Sequence, residues 1–140
     1  IFLGKDLTYS DPVHVQRVAR AFPGLTILVS HACWPWSAQS AAVAFAHPNI
    51  YLVPDFYWNI PSTPGADEWV KAANYFLSYR ILHASAYPVR PLGDSIEGLL
   101  KLGFDSPEIA ERILGGNAAR LLGLDESAAR FPATPVELNR

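Results

Sequence analysis

The feature that most constrains this chain is an alternation of short apolar runs with longer helical patterns. Thr26-Ile27-Leu28-Val29-Ser30 and Ile50-Tyr51-Leu52-Val53 are continuous runs rich in β-branched residues. They are too short for helices and lack polar alternation, which is the pattern of a strand buried on both faces of a parallel sheet. Helical patterns separate them. Asp11 before Pro12 reads as an N-cap followed by proline at the first helical position. Val15, Val18, Ala19 and Phe22 then follow at helical spacing, so residues 12–22 are expected to form a helix that Pro23-Gly24 ends.

The same rhythm continues to the end. Residues 1–4 read as a first strand. The alanine-rich residues 36–46 read as a helix and residues 54–64 as a long loop. Trp69, Ala72, Ala73 and Phe76 form one stripe of a helix over residues 66–77, and residues 80–84 read as a short strand. Asp94 and Glu97 have capping-box spacing ahead of Leu99 and Leu100. Ser106-Pro107 opens a helix with Ile109 and Ile113 inward, and a last helix over residues 117–122 stops at Gly123. Residues 128–140 read as a polar, proline-broken tail after a domain of residues 1–127. Strands alternating with helices predict an α/β fold with parallel βα units. Four units are half of a (β/α)8 TIM barrel, and such a half leaves two open sheet edges. The expected partners are therefore another copy of the chain, giving a homo-oligomer, or a missing N-terminal half.

Composition narrows the function classes. The 140 residues are 50% hydrophobic and 17% charged, with net charge −2. A near-neutral balance argues against a nucleic-acid surface. No apolar run approaches the ~20 residues of a membrane span. Cys33 is the single cysteine, so no internal disulfide or multi-cysteine zinc site can form, and a reducing, cytoplasmic setting is expected. Phosphate-binding glycine loops, a G-x-S-x-G elbow, H-E-x-x-H and H-x-H are all absent from the sequence.

In parallel α/β sheets, ligands sit beyond the carboxyl ends of the strands. That rule nominates His31, directly after Ser30, as a group that can move a proton or ligate a metal. It nominates Asp55 as a base, a substrate anchor or a loop cap. Trp34, Trp36, Tyr57 and Trp58 can wall a pocket for a small-molecule substrate. Tyr87 can donate from its hydroxyl, and Arg90 can hold a carboxylate through its planar fork or pair with a helix start. His14 and His47 are expected on the surface and His83 as a satisfied core histidine. Cys33 as a nucleophile beside His31 is disfavoured, because adjacent residues rarely aim at one point.

Four segments, in order, resemble a known family. They are Phe22-Pro23-Gly24-Leu25-Thr26-Ile27-Leu28-Val29-Ser30-His31, Pro48-Asn49-Ile50-Tyr51-Leu52, Arg80-Ile81-Leu82-His83-Ala84-Ser85-Ala86-Tyr87-Pro88, and Asn117-Ala118-Ala119-Arg120-Leu121-Leu122-Gly123-Leu124. They are similar to segments of amidohydrolase-related proteins, the relatives of aminocarboxymuconate-semialdehyde decarboxylase and the resorcylate decarboxylases. The resemblance implies strands five to eight of a TIM barrel and a hydrolase or decarboxylase acting on a small acidic or aromatic substrate. It also implies a divalent metal such as zinc, held by an H-x-H of strand one, a histidine of strand five and an aspartate of strand eight. The strand-six histidine, matched by His31, acts in catalysis or as a further ligand. This sequence departs from that pattern. Phe2 stands at the strand-five position, Ala86 stands at the strand-eight position, and H-x-H is missing. The alternative reading is a metal-free barrel relative that binds or scaffolds. A flavodoxin-like domain is disfavoured for want of a phosphate loop.

Overall fold

A computed structural model describes residues 6–124. The expected first strand, residues 1–4, and the tail, residues 128–140, lie outside the described residues. Helix α1 (Pro12–Ala21) starts as its sequence dictates: the Asp11 carboxylate accepts from the Val13 backbone N–H at 2.9 Å, and Pro12 occupies the first turn. Strand β1 (Ile27–Ser30), helix α2 (Ser37–Ala46), strand β2 (Ile50–Val53) and helix α3 (Ala66–Tyr75) follow. Helix α4 (Leu92–Leu100) and helix α5 (Pro107–Glu111) come next. A π-helical turn (Arg112–Gly116) joins α5 to helix α6 (Asn117–Leu121).

The two strands are parallel, in the register Ile27↔Ile50 to Ser30↔Val53. The expected third strand, residues 80–84, is reduced to one bridge between Leu52 and Ile81. Leu52 accepts from the Leu82 N–H and donates to the Arg80 carbonyl, both at 2.9 Å, and there the ladder ends. The His83 N–H turns instead to the Ile113 carbonyl at 3.0 Å, so the last helical run takes the bonds that a longer strand would make. A second correction concerns β1. The reading of a strand buried on both faces fails there, because Leu28 is 51% exposed while Val29 is buried. Alternate side chains face opposite sides of a strand, so Ile27 and Val29 meet the helices and Leu28 and Ser30 meet an uncovered face. β2 is mostly buried, as expected.

The core lies between the sheet and the helices, around Trp69, Leu77, Ile81, Leu99 and Ile113. Three polar side chains fasten the βα units together. Asn49 donates to the carbonyls of Phe22 (3.1 Å) and Leu25 (2.9 Å), closing the turn after α1. Arg80 donates to the carbonyls of Ala44 and His47, at the end of α2. Asn117, fully buried, donates to Ser78 O at 2.8 Å and Ile81 O at 2.7 Å. These are carbonyls that helix and strand ends leave without partners. The capping box expected at Asp94 does not form: α4 begins earlier, with Pro91 at its N-cap, and Asp94 lies in the first turn. Pro91 supplies an extended residue that needs no N–H partner, so the helix starts there.

Asn117→Ala deletes two donors to carbonyls that the core screens from water. We expect it to destabilise the fold by about 2 kcal/mol or more. Urea unfolding measures this, and a midpoint equal to wild type would refute the anchoring role.

Candidate functional site

The register of the two strands fixes the site. Ser30 lies opposite Val53, so His31 and Asp55 leave neighbouring strands at the same end of the sheet. Both then bend through left-handed backbone, with φ of 61° and 57°. Ala32 and Cys33 continue the left-handed turn, with φ of 43° and 60°. Non-glycine residues avoid this region, and short runs of them concentrate where surrounding structure enforces them.

The turn brings the His31 backbone N–H onto Asp55 Oδ2 at 2.9 Å. The imidazole Nδ1 lies 2.7 Å from the same oxygen, at ion-pair distance but off the line of a straight hydrogen bond. Asp55 is only 5% exposed. Burial pushes its carboxyl above the ordinary carboxylate range, and the N–H and ring of His31 pull it partly back. The His31 side chain is 40% exposed.

Aromatic rings hold the imidazole. Tyr57 meets it edge-on at 5.5 Å between centroids and Phe56 at 6.1 Å. Trp34 stacks on Tyr57 at 4.7 Å with planes 9° apart, and its indole N–H donates to Pro64 O. Burial, with Asp55 close by, raises the Tyr57 phenol, so it stays protonated. Trp34 is half-buried and Tyr57 buried, so Trp34 presents the accessible wall and Tyr57 backs it.

The other expected residues fall elsewhere. Trp58 is a buried residue packed edge-on against Phe104, and it backs the groove that Arg90 lines, away from His31. Trp36 sits at the N-cap of α2 with its indole nitrogen buried. Tyr87 is 78% exposed, and its backbone N–H turns to Ser85 Oγ. Arg90 lines a groove of about 830 Å³ between α3 and α4, with Asn59, Asp94 and Gly98. Neither His31, Trp34, Asp55, Tyr57 nor Tyr87 lines that groove. The Arg90 guanidinium donates to the Asp94 carbonyl at 2.9 Å, a backbone variant of the helix-start pairing that its position suggested. His14 is exposed and reaches the Thr8 carbonyl. Cys33 is buried, and burial pushes its thiol up to about 11, which removes it as a nucleophile at neutral pH.

What sequence reasoning missed is the pairing itself. Asp55 and His31 are 24 residues apart, and only the strand register joins them.

A family model described as amidohydrolase matches residues 1–124. The chain belongs to the amidohydrolase family. Its fold is similar to that of an uncharacterized TIM-barrel protein from Bordetella bronchiseptica, with 45% sequence identity and a TM-score of 0.79. The match covers 86% of this chain and 42% of that one, so the chain spans less than half the length of this relative. No curated protein matches it. No helix among the described residues is long and apolar enough to cross a membrane.

The amidohydrolase resemblance implies a divalent metal, and the donors can be tested against it. Among the described residues no cluster of three His, Cys, Asp or Glu can hold an ion. Ala86 offers no donor, and the Nδ1 of His31 faces Asp55. Zinc wants about four ligands, so the described residues do not fit it by themselves.

His83 behaves as a core histidine. Its Nε2 lies 3.0 Å from Ser95 Oγ, in a buried network that includes Asn59. Burial holds its pKa below the ordinary value of 6.5. The unfolded chain therefore binds this proton at a higher pH than the folded one. Stability is fully present above about pH 6.5 and is lost as pH falls toward the depressed folded value. We expect His83→Gln to flatten this slope, read by urea unfolding across pH 5–7. An unchanged slope would place the titration elsewhere.

Proposed function

We propose that this amidohydrolase chain works as strands five to eight of a (β/α)8 barrel, with His31 as its proton-transfer group. The reaction is hydrolysis of a small acidic or aromatic substrate. The observation that carries the reading is the His31–Asp55 pair, with the imidazole partly exposed at the carboxyl end of the sheet. TIM-barrel enzymes place their chemistry at that end.

The steps assigned to this chain are few. Trp34 offers an aromatic face beside the imidazole. His31 accepts a proton from the attacking water as its oxygen bonds to the substrate carbonyl carbon. The same imidazole then returns that proton to the leaving nitrogen or oxygen as its bond to carbon breaks. No step is assigned to a metal.

Leu28 and Ser30 lie exposed on the sheet face away from the helices. Closing a barrel covers that face. We assign the cover to the complementary barrel half, which matches the 42% share of the TIM-barrel relative. A second copy of the chain is the other closure. Light scattering separates them: the isolated chain should self-associate and give way to a defined complex when the other half is supplied. A cooperative, well-folded monomer would count against both. Cytoplasmic placement rests on the single buried thiol of Cys33.

Ala86 favours a second reading, a metal-free relative that binds without turnover. Screening of the intact protein against amides, lactones and aromatic carboxylic acids, with ammonia, ring-opening and CO₂ release as readouts, separates hydrolysis, decarboxylation and binding. On any substrate turned over, His31→Gln should lower kcat by roughly 10²-fold or more with KM little changed. Full turnover by folded His31→Gln would overturn the assignment.

A further inference from the structure

We propose that Asp55 is a positioning residue for His31: it holds the proton on Nδ1 and leaves Nε2 as the atom that exchanges a proton with the reactants. The inference rests on the catalytic reading of His31, but its geometry stands apart from any substrate.

Three observations carry it. First, one oxygen does two things. Asp55 Oδ2 accepts the His31 backbone N–H at 2.9 Å and lies 2.7 Å from Nδ1. The backbone contact locks the carboxylate against the turn, so the ring and the main chain of His31 are gripped at one point. An ionised carboxylate only accepts, and a bare ring nitrogen at 2.7 Å would set lone pair against lone pair, so the contact favours hydrogen on Nδ1 even off the line of a straight bond. Second, access to the two ring nitrogens differs. Nδ1 has no accessible surface, yet the side chain as a whole is 40% exposed. The exposed part therefore lies on the rest of the side chain, and Nε2 is not among the buried, unpartnered atoms. Third, the Asp55 side chain is 7% exposed where that of His31 is 40% exposed. A small substrate reaches the imidazole before it reaches this carboxylate, which argues against a direct anchor. The left-handed backbone at both residues is the cost of the arrangement.

When Nε2 takes a proton in the reaction, the ring becomes a cation with hydrogen on both nitrogens. A buried carboxylate 2.7 Å from Nδ1 then stabilises that cation from the side of the ring that water does not reach. The proton on Nδ1 does not move. The one taken by Nε2 returns to the leaving group, so the pair is restored after each turnover.

The test begins with the tautomer, which needs no substrate. Nitrogen-15 NMR of the intact protein, at a pH where the ring is neutral, should show His31 with hydrogen on Nδ1. A resting Nε2–H tautomer overturns the proposal, whatever the variants do. Asp55→Ala removes the acceptor and should shift His31 away from Nδ1–H, while lowering kcat by roughly 10²-fold with KM little changed. Asp55→Asn keeps an amide oxygen in reach of the same position and should restore the Nδ1–H tautomer. An Nδ1–H tautomer that persists in folded Asp55→Ala overturns the proposal. The His31→Gln result separately tests whether this imidazole is catalytic, so the two failures are distinguishable.

Discussion

The parallel pairing of β1 with β2 is the constraint on which the rest depends. Its register, Ser30 opposite Val53, delivers His31 and Asp55 to the same edge of the sheet. A slip of one residue would move each side chain of the strand to the other face. Val29 would leave the core and Leu28 would enter it, and the Asp55 carboxylate would lose its place under the imidazole. The apolar pattern of two four-residue strands thus specifies the relation between two polar residues 24 positions apart. Packing sets the register, and the register sets the chemistry.

The polar residues within the four family-like segments divide into two kinds. Asn49, Arg80 and Asn117 spend their donors on main-chain carbonyls at the ends of helices and strands. Each ties one βα unit to another, and none needs a ligand to explain it. His83 and Ser85 also bond within the protein, to Ser95 Oγ and to the Tyr87 N–H. His31 differs from all of these. Its side-chain contacts are to a buried carboxylate and to aromatic rings, and part of the ring stays open. A segment can therefore mark the family through residues that hold the fold, while the candidate reactive group is one residue at its end.

The fold was legible where spacing carried it. Helix α1 shows its cap, its proline and its stripe in the sequence, and β2 shows an apolar run that packing then buries. The failures have physical causes. Leu28 sits in an apolar run that promised two buried faces, but exposure depends on what covers the sheet, which no single run encodes. Residues 80–84 look like a strand, yet Ile113 captures the His83 N–H and stops the ladder. Asp94 and Glu97 have the right spacing for a capping box, but Pro91 starts the helix first. Within the site, His31 was legible from its place after a strand. The partnership with Asp55 was not, because it arises from register. Arg90 shared the strand-end neighbourhood in sequence, and the chain then carried it toward the groove between α3 and α4.

The residues after the two strands and a residue beyond the Ile81 bridge share a backbone feature that their side chains do not. His31, Asp55 and Ala86 leave their segments with φ of 61°, 57° and 53°. Left-handed backbone is costly for residues with a Cβ, and Asp, Asn and His are enriched there because short polar side chains can compensate locally. At His31 and Asp55 that compensation is visible, since the Asp55 carboxylate accepts the His31 backbone N–H and lies beside its ring. Ala86 has no such group, yet its junction makes the same turn. The turn is therefore held by its surroundings, including the buried Ser85 beside it, whose hydroxyl accepts from the Tyr87 N–H. Position 86 offers no donor atom, and its backbone still makes the turn. Among the described residues, this end of the sheet carries an imidazole with a buried carboxylate beside it, and the chemistry proposed for the chain follows from that pair.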